Sequence, residues 1–163
     1  MGVPIMQKGL SLIELMVVIA ILGILTAAAM PLSRMTVKRV REMELRSDLR
    51  ILRNAIDAFK KDCVEKKIAT DYCKSERDNY PESLELLVEP VKLAGAVDKT
   101  KKYLRRLPHD PMMPPESDST EHNWGLRAYG DEPDSTQWGG DNVFDVYSKS
   151  EAIALDGTKY NTW

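Results

Sequence analysis

The residue with the most demanding chemistry in this 163-residue chain is an acid placed inside an apolar run. Glu14 is the single charge between Leu10 and Leu32, in LSLIELMVVIAILGILTAAAMPL. A carboxylate at membrane depth costs roughly 2.5–3.5 kcal/mol even on lenient insertion scales, so a chain needing only an anchor would do better with Leu. A cation that meets the carboxylate offsets that cost, and the cheapest one is a free α-amino group. Cleavage after Gly9 would create one at Leu10, one helical turn from Glu14, on the same chain or on a neighbour in a bundle of such helices. A matched pair is tolerable and an unmatched carboxylate penalises a misplaced subunit, so the acid can act as a register device. The other candidates are weaker. His109 and His122 lie in polar loop sequence with no third ligand, and no GxSxG or HExxH pattern accompanies them. Asp131-Glu132-Pro133-Asp134 reads as a solvated loop. Nothing in the sequence supports an enzyme.

The element that must carry Glu14 is a helix. At ~1.5 Å per residue, the 23 residues from Leu10 to Leu32 could cross a ~30 Å hydrocarbon core. The run is too long for a secretory signal peptide, has an acid inside it, and meets Pro31 just past a small-residue Ala27-Ala28-Ala29 site. It is also too uniformly apolar for a buried soluble helix. Downstream, Leu45, Leu49, Leu52, Ile56, Phe59 and Cys63 recur at spacings of four and three, the stripe of an amphipathic helix packed on a core. Taken as one helix, Leu10 to Cys63 would extend ~80 Å, with Pro31 a place where it can kink or open.

The remainder reads as a small head. Lys61 to Asn79 is polar and irregular and holds both cysteines, Cys63 and Cys73. Tyr80 to Pro90 predicts a short helix bounded by its prolines. Leu107-Pro108-His109-Asp110-Pro111 forces a turn, and Pro111 to Asn123 reads as loop. Three strands are predicted: Trp124–Tyr129, Val143–Ser148 after the Gly139-Gly140 turn, and Thr158–Trp163. Composition is ordinary, with 23 Lys+Arg against 25 Asp+Glu and a mean hydropathy of −0.35. A net charge of −2 argues against a dedicated nucleic-acid binder. Two cysteines are too few for a disulfide scaffold or paired-Cys zinc site, and no fixed-period repeat is present. The basic residues from Lys38 to Arg53 are interleaved with Glu42, Glu44 and Asp48 at spacings that suit i,i+4 pairing along a helix. Pairing within that face, or with acidic patches on neighbouring subunits, is preferred there to lipid or DNA phosphate.

Lys8-Gly9, Leu10-Ser11-Leu12-Ile13-Glu14-Leu15 and an apolar run ending at Pro31 together resemble the class III signal of type IV pilins and type II secretion pseudopilins. The tyrosine-proline segment at Tyr80-Pro81 and the Leu107-Pro108-His109-Asp110-Pro111 turn are most like the major pseudopilin of type II secretion. The usual first mature residue of the family is Phe, and Leu10 departs from it. The resemblance implies a leader at 1–9 removed after Gly9 by a prepilin peptidase, with methylation of Leu10. It implies a membrane and assembly helix over 10–32, with Glu14 and Pro31 at the family's positions, and a periplasmic head over 33–163. The fold implied is α+β: a long N-terminal helix, membrane-spanning in its first half, packed on a small antiparallel β-sheet head with long loops. The location implied is the inner membrane, single-pass, with the assembled fibre in the periplasm or at the cell surface. The implied partners are further copies in a helical homopolymer, the peptidase, the inner-membrane secretion platform, minor pseudopilins and inner-membrane lipid. Seven basic residues against three acids from Arg34 to Arg53 would instead place that flank in the cytoplasm. The motif is the more specific signal and takes precedence.

Export also bears on the cysteines: an exported Cys63–Cys73 bridge would close a short loop, the alternative being two unpaired thiols. The tail resembles the pseudopilin loop that binds calcium, an ion taking 6–8 oxygen ligands. Ser148, the Lys149 carbonyl, Ser150, Glu151 and Asp156 are the candidate ligands, although the family's glycines are missing and the carboxylate spacing is shorter. The alternative is a metal-free loop turned by Asp156-Gly157 and packed through Tyr160 and Trp163. Two other functions remain open on sequence: a type IV pilus pilin for adhesion or motility, and a single-pass anchored periplasmic binding module.

Overall fold

The structure, a computed structural model, describes residues 9, 11–95, 98–113 and 123–163, without the side chains of 28–32. It divides into two compact units, one ending at Arg39 and the other running from Val40 to Trp163.

One helix, α1 (Leu12–Val64), spans 53 residues and runs without interruption through Pro31. The Leu15 N–H donates to the Ser11 carbonyl at 3.0 Å, so α1 starts one residue past the serine. Glu14 therefore lies in the first turn, where a carboxylate complements the positive end of the helix dipole. In the first unit the large apolar side chains point outward all round the helix, with Leu12 76% and Ile24 71% exposed. The Thr26 hydroxyl donates to the Leu22 carbonyl at 2.7 Å, which keeps its polar group satisfied within the helix.

In the second unit the expected stripe is the core. Leu45, Leu49, Leu52, Ile56, Phe59 and Cys63 are all buried, and they pack in one cluster with Leu84, Leu87, Val91, Trp124, Val146 and Tyr160. The head is two short antiparallel pairs. β1 (Val91–Lys92) pairs with β2 (Thr100–Lys101), and β3 (Trp124–Arg127) pairs with β4 (Asp145–Ser148). Two of the predicted strands thus appear, each trimmed at one end, whereas β1 and β2 have no alternating pattern long enough to read from sequence. Gly125 faces Tyr147 across the ladder, and a Cβ there would come within 2.2 Å of the tyrosine ring. The glycine lets that ring lie over the strand.

Two predicted elements differ in form. Tyr80–Pro90 holds only a single 3-10 turn, Glu85–Leu87. Tertiary contacts claim the carbonyls a helix would use: Val143 N–H donates to Pro81 at 2.8 Å, and Tyr103 and Leu104 N–H both donate to Leu87. Thr158–Trp163 is not a strand. A lone bridge joins Ile153 to Lys159, after which Tyr160–Thr162 curls into a 3-10 turn. There Tyr160 and Trp163 meet edge to face at 5.2 Å, and Trp163 Nε1 donates to Thr158 Oγ1 at 2.7 Å. Gly157, at φ +87°, turns the chain after Asp156 as its sequence suggests. Residues 114–122 of the Pro-rich stretch, including His122, lie outside the described residues, and Pro111 starts a turn.

Candidate functional site

The first candidate site is the start of α1. Gly9 is exposed and precedes the helix, Leu10 lies outside the described residues, and α1 continues through the backbone of Pro31. Glu14 is exposed and, among the described residues, meets no cation. Every described side chain from Ser11 to Ala27 is exposed, so this half of the helix presents an apolar surface with one carboxylate on it. Among the described residues no helix is long and apolar enough to cross a membrane. The described side chains of the apolar run stop at Ala27.

The second region is the C-terminal tail, which α1 grips through three side chains. Glu42, 8% exposed, accepts from the Leu155 N–H and the Tyr160 hydroxyl, both at 2.8 Å. Burial, and then that carboxylate, push the Tyr160 hydroxyl up to about 12. Arg46 pairs with Asp156 at 3.1 Å and lies 4.1 Å from the centre of the Trp163 ring. Arg53 donates to Asp145 at 2.7 Å, to the Val146 carbonyl at 3.1 Å and to a Trp163 oxygen at 2.9 Å. Thr158, through its hydroxyl and N–H, leads in holding the Asp156 carboxyl below its ordinary range, with Arg46 adding to it.

Three of the five candidate calcium ligands already hold other partners. Ser148 is fully buried and its hydroxyl donates to Asp110 at 2.6 Å, while its oxygen accepts from the Ser150 N–H. The Ser150 oxygen accepts from Ala152 N–H. Both Asp156 oxygens are taken, one by Thr158 and the other by Arg46. Glu151 and Lys149 are exposed. Among the described residues no group of three or more His, Cys, Asp or Glu side chains could hold a metal ion. As arranged, Ser148, Ser150 and Asp156 would have to give up these partners to hold calcium with Lys149 and Glu151, and Arg46 stands against one Asp156 oxygen. The sequence reading missed Glu42, Arg46 and Arg53 as partners of the tail, since contacts across more than 90 positions leave no local pattern.

At the far end of α1, Cys63 and Cys73 are joined by a disulfide, with 5.4 Å between their Cα atoms. Beside it Asp62 accepts from Lys101 and from the Tyr103 hydroxyl. Burial works against the Asp62 anion, but those two hydrogen bonds together with the charges of Lys101 and Lys67 outweigh it and hold its carboxyl below the usual range. His109 is exposed and lines shallow clefts with Glu44 and Asp110, without a geometry suggesting catalysis.

A long N-terminal helix opening on an acid in an apolar run, packed farther along on small antiparallel sheets, is the architecture of pilin-like proteins. Residues 5–30 match the prokaryotic N-terminal methylation motif. Over 110 residues the chain is 32% identical to type II secretion system core protein G of Escherichia coli (strain K12), covering 64% of this chain and 66% of that protein. The chain is thus similar to a type II secretion core protein and carries a match to the N-terminal methylation motif. It spans just under two thirds of the length of the curated relative it matches. No solved structure matches it.

Proposed function

We propose that this chain is a structural, non-catalytic subunit of a pseudopilus fibre in type II protein secretion. In this reading a prepilin peptidase cuts after Gly9 and Leu10 is methylated. Residues 10–32 then lie in the inner membrane, and the head over 33–163 stands in the periplasm. Polymerisation moves the apolar half of α1 from lipid into a helical core, where each Glu14 meets a neighbour's new terminal amine. The inner-membrane platform and minor pseudopilins are the partners that such a fibre requires.

The observation that carries the reading is Glu14: the one charge in an exposed apolar half-helix, at the start of α1 and inside the matched motif. A type IV pilin is less favoured, because the disulfide at Cys63 and Cys73 lies early rather than closing a C-terminal loop. Replacing Glu14 with Ala separates subunit from anchor. A fibre subunit stays in the membrane fraction and ceases to form filaments. An anchored binding module shows no filaments in the wild type and no change in the variant.

A further inference from the structure

Three arginines on α1, Arg46, Arg50 and Arg53, stand at i, i+4 and i+7 and so share one helix face. With Leu49, Asn54 and Trp163 they line an open cleft of about 490 Å³. Like charges at these spacings slightly disfavour the helix, and nearby anions offset that. Two of the three have them: Arg46 has Asp156 and Arg53 has Asp145. Arg50 is exposed and pairs with no acid among the described residues.

The matching anions lie elsewhere on the same head, in the loop between β3 and β4. Glu132, Asp134 and Asp141 are exposed and, among the described residues, meet no cation. The loop is nevertheless built. Asp131 accepts from the Ala128 and Gly139 N–H groups at 2.7 and 3.1 Å, Arg127 Nε donates to the Ser135 carbonyl at 3.0 Å, and Trp138 Nε1 donates to Asn142 at 2.8 Å. Its outward acids, with Trp138 42% exposed among them, therefore need little further ordering to bind. Arginine and tryptophan are also the side chains that most often anchor interfaces.

We propose that the Arg46–Arg50–Arg53 cleft of one copy receives the acidic 131–141 loop of a second copy. The two patches differ, so used head to tail they form a heterologous contact, the kind that propagates into an open helical filament instead of closing. The inference rests on the fibre reading above and names the contact between the heads of successive subunits in it.

The test uses the full-length chain assembled in cells and counts sheared filaments by electron microscopy. Arg50→Glu loses filaments, as does the pair Glu132→Lys with Asp134→Lys. Combining the three substitutions restores them. Arg50→Cys with Asp134→Cys gives, on oxidation, a ladder of dimers, trimers and longer species, with the native cysteines already paired to each other. Normal filaments with Arg50→Glu, or loss without restoration in the combined variant, overturns the contact. Cross-linked dimers alone overturn its head-to-tail geometry. If Arg50→Glu abolishes binding to phosphatidylglycerol vesicles and the charge swap restores nothing, the cleft serves anionic lipid and the proposal falls. Absence of filaments from the wild type is a different result, for it defeats the fibre reading itself.

Discussion

The two halves of α1 use the same backbone to opposite ends. From Leu12 to Ala27 apolar residues surround the helix and all stand exposed, whereas from Leu45 to Cys63 they form one stripe that is almost wholly buried. The difference is one of pattern rather than hydrophobicity. A stripe can be covered by the chain's own head, but a helix apolar on every side needs partners from outside, in lipid or in other helices. Glu14 belongs to the half that waits for partners, and Glu42, Arg46 and Arg53 to the half that has found them.

The sharpest way to break this contrast is to truncate one side chain in each half. Phe59→Ala removes a fully buried ring, and the head should lose about 3–5 kcal/mol in thermal or denaturant melting. Ile19→Ala removes a side chain that is 60% exposed, and the same measurement should stay within about 0.5 kcal/mol of wild type. Equal losses would mean that the two halves are not independent. Removing the bridge with Cys63→Ala and Cys73→Ala comes next, at about 2–4 kcal/mol of head stability. The Glu14→Ala variant should keep the head stability of the wild type in the same measurement, because its defect lies in the other half.

Asp62 sharpens the comparison at the end of the packed half. Its carboxyl is held below the ordinary range in the folded protein, so its contribution is complete above the unfolded value near pH 4 and is lost as the pH falls through the lower folded value. Asp62→Asn should cost about 1–3 kcal/mol at neutral pH, leaving Lys101 and Tyr103 without their anion. It should also flatten the acid limb of the melting curve. An unchanged acid limb would show that Asp62 is not linked to folding. The smallest effect is expected from chelation. With Asp156 taken by Arg46 and Thr158, excess chelator should leave the melting temperature of the head where it was. A clear fall would show that the tail is held by a divalent ion after all.

Much of this contrast is legible in the sequence because both halves of α1 announce themselves by period. The uninterrupted run with Glu14 and the stripe from Leu45 to Cys63 are local patterns, and each lies where its residues place it. β3 and β4 are legible for the same reason. What fails is decided by distant partners. The Tyr80–Pro90 helix gives way to a single turn because Val143, Tyr103 and Leu104 take its carbonyls. The last predicted strand curls because Tyr160 and Trp163 pack on each other and on α1. The tail's grip by Glu42, Arg46 and Arg53 is equally invisible to local spacing, and through Arg46 it occupies one oxygen of Asp156, an expected calcium ligand.

The account depends most on what happens ahead of Glu14, since the carboxylate needs a new amine only one turn away. The direct measurement is the intact mass and N-terminal sequence of the protein recovered from native membranes or sheared fibres. The account predicts a chain that starts at Leu10 and carries one methyl group on its terminal nitrogen. A chain that still carries Met1–Gly9, or that starts at any other residue, would contradict it.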